Sequence, residues 1–177
     1  LGPDGKTIYY SSYKESENLS SITAYELQSR RTKEIWRGEA KVGLPRLSPD
    51  GQWLAIEVLQ RDEMGTKLVV MPAAGGEIRE LAVSNSGGDF VWTPDSKQIL
   101  FAKFVPGSGY GSSRQELWTV PMDGGTPKSL NLESRLMWLL TIHPDGNQIA
   151  YSNYQSKAEI WVMENFLPDE KAQRDSR

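Results

Sequence analysis

The chain has 177 residues and a net charge of −3, with 38% hydrophobic and 24% charged residues; this balance is globular and offers no positive field to nucleic acid or an anionic membrane. The absence of cysteine excludes disulfides, zinc-thiolate sites, iron–sulfur clusters and a cysteine nucleophile. No run approaches the roughly 20 apolar residues of a membrane-spanning helix, so direct membrane insertion is not expected.

Taken in chain order, the elements repeat. The turn Gly2-Pro3-Asp4-Gly5 leads to the apolar triplet Ile8-Tyr9-Tyr10, then to Ile22-Thr23-Ala24-Tyr25, and to Ile35 thirteen residues beyond Ile22. A second unit opens with Leu44-Pro45-Arg46-Leu47, turns at Ser48-Pro49-Asp50-Gly51, and continues through Leu54-Ala55-Ile56, Leu68-Val69-Val70-Met71 and Leu81. The third runs Phe90-Val91-Trp92, Thr93-Pro94-Asp95-Ser96, Ile99-Leu100-Phe101, Leu117-Trp118-Thr119-Val120 and Leu130. The fourth runs Leu139-Leu140-Thr141-Ile142, His143-Pro144-Asp145-Gly146, Ile149-Ala150-Tyr151 and Ile160-Trp161-Val162-Met163.

Each turn has the chemistry of a tight hairpin. Proline presets φ at the second position, aspartate accepts from backbone amides just ahead, and glycine takes the left-handed conformation that closes the loop. Ser96 stands where the other turns have Gly5, Gly51 and Gly146, which costs about 1 kcal/mol if its φ is positive. Three successive apolar residues cannot lie on one face of a strand, so the triplets predict strands covered on both sides. Each unit is then four antiparallel strands, A to D, with the Pro-Asp turn joining A to B. Tandem four-stranded units of about 45 residues predict an all-β fold, a β-propeller. The expected blades are 1–36, 44–82, 89–131 and 138–168, followed by a polar tail over 169–177. The first lacks its strand A and the last its strand D, so two complete blades and two three-stranded ones are expected, part of a ring of six to eight blades whose N-terminal blades lie upstream.

The Ser-Pro-Asp-Gly turn, the apolar strand after it and the Asp123-Gly124-Gly125 hairpin resemble the TolB-type propeller repeat. The ending Glu159-Ile160-Trp161-Val162-Met163-Glu164-Asn165-Phe166-Leu167-Pro168 is similar to the C-termini of propellers in large acidobacterial proteins. The resemblance implies a module of a larger bacterial protein, of sensor or envelope type, with a periplasmic location favoured. Such repeats also form the propellers of prolyl-oligopeptidase-type serine peptidases.

No catalytic constellation is legible. The one histidine, His143, sits in the turn slot held by Gly2, Ser48 and Thr93, and no Gly-x-Ser-x-Gly elbow accompanies it. Asp4, Asp50, Asp95 and Asp145 recur, but each turn supplies a single carboxylate, too few for a calcium loop, so no metal is expected. No phosphate cradle is present and no cofactor is expected. Partners are expected on the face formed by the D–A and B–C loops. The longest B–C loop, from Phe104 to Gln115, carries Tyr110 and Arg114, a pairing favoured in recognition surfaces, and these are the candidate partner-binding residues. Strand A residues nearest the axis include Arg46, Val91 and Thr141 and offer no paired carboxylates. The function read from the residues and the resemblance is therefore binding of a protein or peptide, with the accessory propeller of a peptidase as the alternative.

Overall fold

A computed structural model describes residues 2, 4–59, 65–84, 89–105, 114–135 and 137–153. The described strands form antiparallel sheets that follow one another along the chain. The first contains β1 (Thr7–Lys14), β2 (Leu19–Glu26) and β3 (Arg31–Gly38) in that order. The second contains β4 (Arg46–Leu47), β5 (Trp53–Leu59), β6 (Thr66–Pro72) and β7 (Arg79–Ser84). The third contains β8 (Phe90–Trp92), β9 (Gln98–Phe104), β10 (Gln115–Pro121) and β11 (Lys128–Ser134). A fourth begins with the hairpin of β12 (Trp138–Ile142) and β13 (Ile149–Ser152). Strand C of the fourth unit, Ile160 to Met163, lies outside the described residues. β4 is shorter than the expected Leu44–Leu47 strand, because Pro45 has no N–H to give a ladder; an isolated bridge between Val42 and Val58 extends the pairing instead.

The repeat in sequence is a repeat in hydrogen bonding. In the four turns Asp4, Asp50, Asp95 and Asp145 each accept through Oδ1 from the amide two residues ahead, at 2.9, 3.0, 3.1 and 2.8 Å. Gly5, Gly51, Ser96 and Gly146 all have positive φ, of 66, 76, 61 and 76°. Ser96 bears this without glycine's freedom, and its hydroxyl has a second role: Ser96 Oγ accepts from the Asp50 amide of the neighbouring turn at 3.0 Å. The departure from glycine is thus an inter-blade contact. His143 fills its slot as Thr93 does: Thr93 Oγ1 donates to Asp95 at 2.6 Å, and His143 Nδ1 lies 2.9 Å from Asp145 Oδ1. A bulge interrupts the C–D pairing at Ile22/Thr23, Leu68/Val69 and Glu116/Trp118, the same place in three sheets, which increases their twist.

Packing between sheets uses the triplets as their spacing requires. Leu54 and Ile56 enter the core shared with the first sheet, whereas Ala55 between them enters the core shared with the third. Ile99 and Phe101 face the second sheet and Leu100 faces the fourth. The outer triplets depart from the two-sided expectation. Tyr9 packs toward the second sheet, but Ile8 and Tyr10 are exposed, because among the described residues no sheet covers that face. Trp92 is buried and Trp53 and Trp118 pack beside it, so three tryptophans build one interface.

A basic residue early in strand D ties the first blade to the second and the second to the third. Lys33 Nζ donates to the Ala74 carbonyl at 2.9 Å. Arg79, at the corresponding place one blade on, donates to the carbonyls of Met122 and Asp123 and lies over the Trp53 ring. Gly75 belongs to the first of these joints: its φ is 97°, and a Cβ there would lie 3.0 Å from the Ile35 carbonyl oxygen.

Candidate functional site

Antiparallel alternation puts the A–B and C–D turns at one end of each sheet and the B–C and D–A connections at the other. At the second end the inner strands converge. The register pairs Arg46, Val91 and Thr141 with the middle residues of their triplets, so Leu44, Asp89 and Leu139 align two residues earlier in the sequence repeat. Leu44 and Leu139 are 75% and 77% exposed there, and Trp138 is 57% exposed. Leu139 has a φ of 54°, at a break in the β12–β13 register between Trp138 and Thr141. Exposed apolar side chains thus stand at this end of the inner strands of the second and fourth sheets, the region termed the axial mouth.

At the same end lies a charged group that departs from the repeat. Asp89 stands where the other blades have leucine, and its side chain is only 11% exposed. One carboxylate oxygen accepts from Arg46 Nη2 and from the Phe90 amide, and the other accepts from the Leu140 amide. Arg46 Nη1 also donates to the Phe90 carbonyl, and Trp92 Nε1 returns a bond to the Arg46 carbonyl at 2.9 Å. The Arg46 guanidinium stacks 4.8 Å from the centre of the Phe90 ring. A single carboxylate therefore joins the inner strands of three blades. Charge-assisted bonds of this kind are roughly twice as strong as neutral ones.

Glu57 of β5 faces the same group and is half-buried. Burial pushes its carboxyl up to about 7; the Thr66 hydroxyl opposes this, Asp89 adds to it and Arg46 opposes it. The sequence expectation concerned the strand A residues Arg46, Val91 and Thr141, which carry no carboxylate; the carboxylates of this group come from elsewhere. Reasoning from strand A alone missed Asp89, which precedes β8, and Glu57, which reaches in from strand B. Both carried a signal in the repeat, since Glu57 aligns with Ala102, Ser152 and Ser11.

The other candidate residues are placed as follows. Arg114 lies at the same end of its sheet and pairs with Glu133 of β11 at 3.1 Å, both side chains being exposed. Tyr110 lies outside the described residues, as does Pro3 of the first turn. Pro49, Asp50, Gly51, Pro94, Asp95, Pro144, Asp145 and Gly146 lie in the turns at the opposite end, where the Thr93 hydroxyl and the Lys97 amide hold the Asp95 carboxyl below its ordinary range, and the Asn147 amide and His143 do the same for Asp145. A cavity of about 660 Å³ also opens at that turn end, lined by Gln98, Thr119, Pro121 and Lys128 among others. Lys128 occupies the strand D position of Lys33 and Arg79. The cavity therefore lies where the first two blades receive the hairpin of the next blade, and its place in the fold is that of a blade-to-blade seat. Among the described residues no group of three or more histidine, aspartate or glutamate side chains is arranged to hold a metal ion.

No family model matches the chain. It is similar to the uncharacterized peptidase YuxL of Bacillus subtilis (strain 168), with 31% identity over 103 residues, 55% of this chain and 16% of that protein. Among solved structures it is similar to TolB from Acinetobacter baumannii, with a TM-score of 0.68 and 22% identity over 89% of this chain and 37% of that one. It is also similar to the β-propeller domain of the Trilobed protease from Pyrococcus furiosus, with a TM-score of 0.60 and 16% identity over 76% of this chain and 42% of that one. The fold is that of β-propeller blades, and the chain spans well under half the length of each of these proteins.

Proposed function

We propose that the chain is a non-catalytic, TolB-like β-propeller module that binds a protein or peptide at the end of the blades formed by the D–A and B–C connections. The observation that supports this reading is the axial mouth: Leu44, Trp138 and Leu139 are exposed at the end of the blades where Asp89 and Arg46 form a pair whose charges cancel. Exposed apolar side chains at the same end as a satisfied polar centre suit an interface whose core is apolar and whose fixed groups set orientation. Pull-down with the full-length protein, comparing the parent with Trp138→Ala/Leu139→Ser, tests it. A partner that is released by the double variant supports the reading, and equal recovery of every partner by both proteins refutes it. Replacing Tyr110 and Arg114 by alanine asks the same question of the long B–C loop.

A second reading is favoured by one observation, the 31% identity to a protein described as a peptidase. In that reading the propeller is accessory to a serine peptidase of the prolyl-oligopeptidase type, and the axial mouth faces a catalytic domain in the same polypeptide. Peptide hydrolysis by the full-length protein, abolished by a serine-directed inhibitor, is its expected signature.

A further inference from the structure

Two joints between blades share one design. At the first, Lys33 Nζ donates to the Ala74 carbonyl, and Ala73 before it is buried. At the second, Arg79 donates to the carbonyls of Met122 and Asp123, and Met122 packs into the cluster that holds Val70 and Trp53. In both, the basic residue stands eleven positions after the residue that opens its own strand C, Ile22 or Leu68. Its acceptors stand five or six positions after the residue that opens strand C of the next blade, Leu68 or Leu117. An offset kept twice predicts a third instance.

Lys128, eleven positions after Leu117, is the third basic residue of the series. It pairs across the strands with Thr119, whose Oγ1 donates to Gln98 Oε1 at 2.8 Å. Gln98 and Thr119 stand where the second blade has Trp53 and Val70, so the seat that is apolar on that blade is polar on this one. All three residues line the cavity of about 660 Å³. Five and six positions after Ile160, which opens strand C of the fourth unit, come Asn165 and Phe166. The place held by Met122 over an apolar seat is thus held by an amide where the seat is polar. The chain is also long enough to reach this place. Asn165 is thirteen positions beyond Ser152, the end of β13, against sixteen from Glu57 to Ala73 at the corresponding places of the second blade.

We propose that this cavity is the seat of the segment Glu164-Asn165-Phe166 of the same chain. Lys128 donates to the main-chain carbonyls of Asn165 and Phe166, as Arg79 does to those of Met122 and Asp123. The Asn165 side chain exchanges hydrogen bonds with Gln98, whose oxygen Thr119 already engages and whose N–H groups remain to donate. Enclosure makes this match matter, because a buried amide left without partners is destabilising. The joint closes the fourth blade onto the third at the turn end and directs the tail over 169–177 away from the axial mouth. It does not rest on the mouth being a binding surface.

Cross-linking tests the seat in the full chain, which has no cysteine of its own. Gln98→Cys/Asn165→Cys is compared with Thr7→Cys/Asn165→Cys, Thr7 being the same position of the first blade. A short bismaleimide in dilute protein is expected to join the first pair at least about tenfold faster, because only that pair is held together. Urea unfolding supplies a readout that needs no cysteine. Asn165→Met is expected to lower the midpoint by roughly 0.5 M, and adding Gln98→Leu and Thr119→Val, which makes the seat apolar like that of the second blade, is expected to restore it. Equal cross-linking of the two pairs, an unchanged midpoint in Asn165→Met, or no recovery in the triple variant would each overturn the seat. The pull-down at the axial mouth stands or falls separately.

Discussion

Replacing Ser96 separates two opposing effects that meet at one residue. Its φ of 61° costs about 1–2 kcal/mol relative to glycine, and its Oγ, in a side chain 6% exposed, accepts the Asp50 amide at 3.0 Å. Ser96→Ala keeps the strain and leaves the Asp50 N–H without its acceptor, an expected loss of about 1–3 kcal/mol. Ser96→Gly loses the same bond but recovers the strain, so it is expected within about 1 kcal/mol of the parent. Urea unfolding followed by tryptophan fluorescence reads the difference. With an m-value of about 2 kcal/mol/M, the alanine midpoint falls by roughly 0.5–1.5 M and the glycine midpoint stays within roughly 0.5 M. Equal midpoints for the two variants would refute the strain. An alanine variant as stable as the parent would refute the inter-blade bond.

Gly75 and Gly124 are paired tests of the blade joint. Both have positive φ, but a Cβ at Gly75 meets the Ile35 carbonyl whereas one at Gly124 meets nothing within 4 Å, so Gly75→Ala is expected to cost at least about 1 kcal/mol more than Gly124→Ala by denaturant unfolding. Asp89→Asn removes the charge that bridges Arg46 and Leu140 and is expected to destabilise by about 1.5–3 kcal/mol; no change in midpoint would show that the bridge contributes nothing net. Ile56→Ala, at a fully buried position between two sheets, is expected to cost about 2–5 kcal/mol. Glu57 has a folded-state pKa raised to about 7 from 4.5, so the folded protein holds the extra proton: its stabilisation is complete below about 4.5 and is lost as pH rises toward 7. Unfolding midpoints compared between parent and Glu57→Gln should converge at low pH and separate above neutrality, with the parent falling.

Much of the fold was legible because each element depends on local chemistry. Pro94 and Asp95 make their turn with backbone groups a few residues away, and alternation in Leu54-Ala55-Ile56 assigns its side chains to two faces whatever lies beyond them. The recurrence of these signals fixed the strand order within a blade. The candidate site was less legible because it is assembled from residues that the repeat does not predict. Asp89 and Glu57 appear in sequence as ordinary surface charges, and only their misfit with Leu44, Leu139 and Ala102 marks them.

The sequence by itself determined the turns, the strand phases and the blade as the unit, since these follow from steric and periodic constraints that act over a few residues. The tertiary structure decided which misfits matter. Ser96 is a strained turn residue until the neighbouring turn brings Asp50 to its hydroxyl. Arg46, Glu57 and Asp89 become one electrostatic group only when the fold brings the second and third blades together, because charge interactions depend on distance and burial between segments that the chain itself holds far apart.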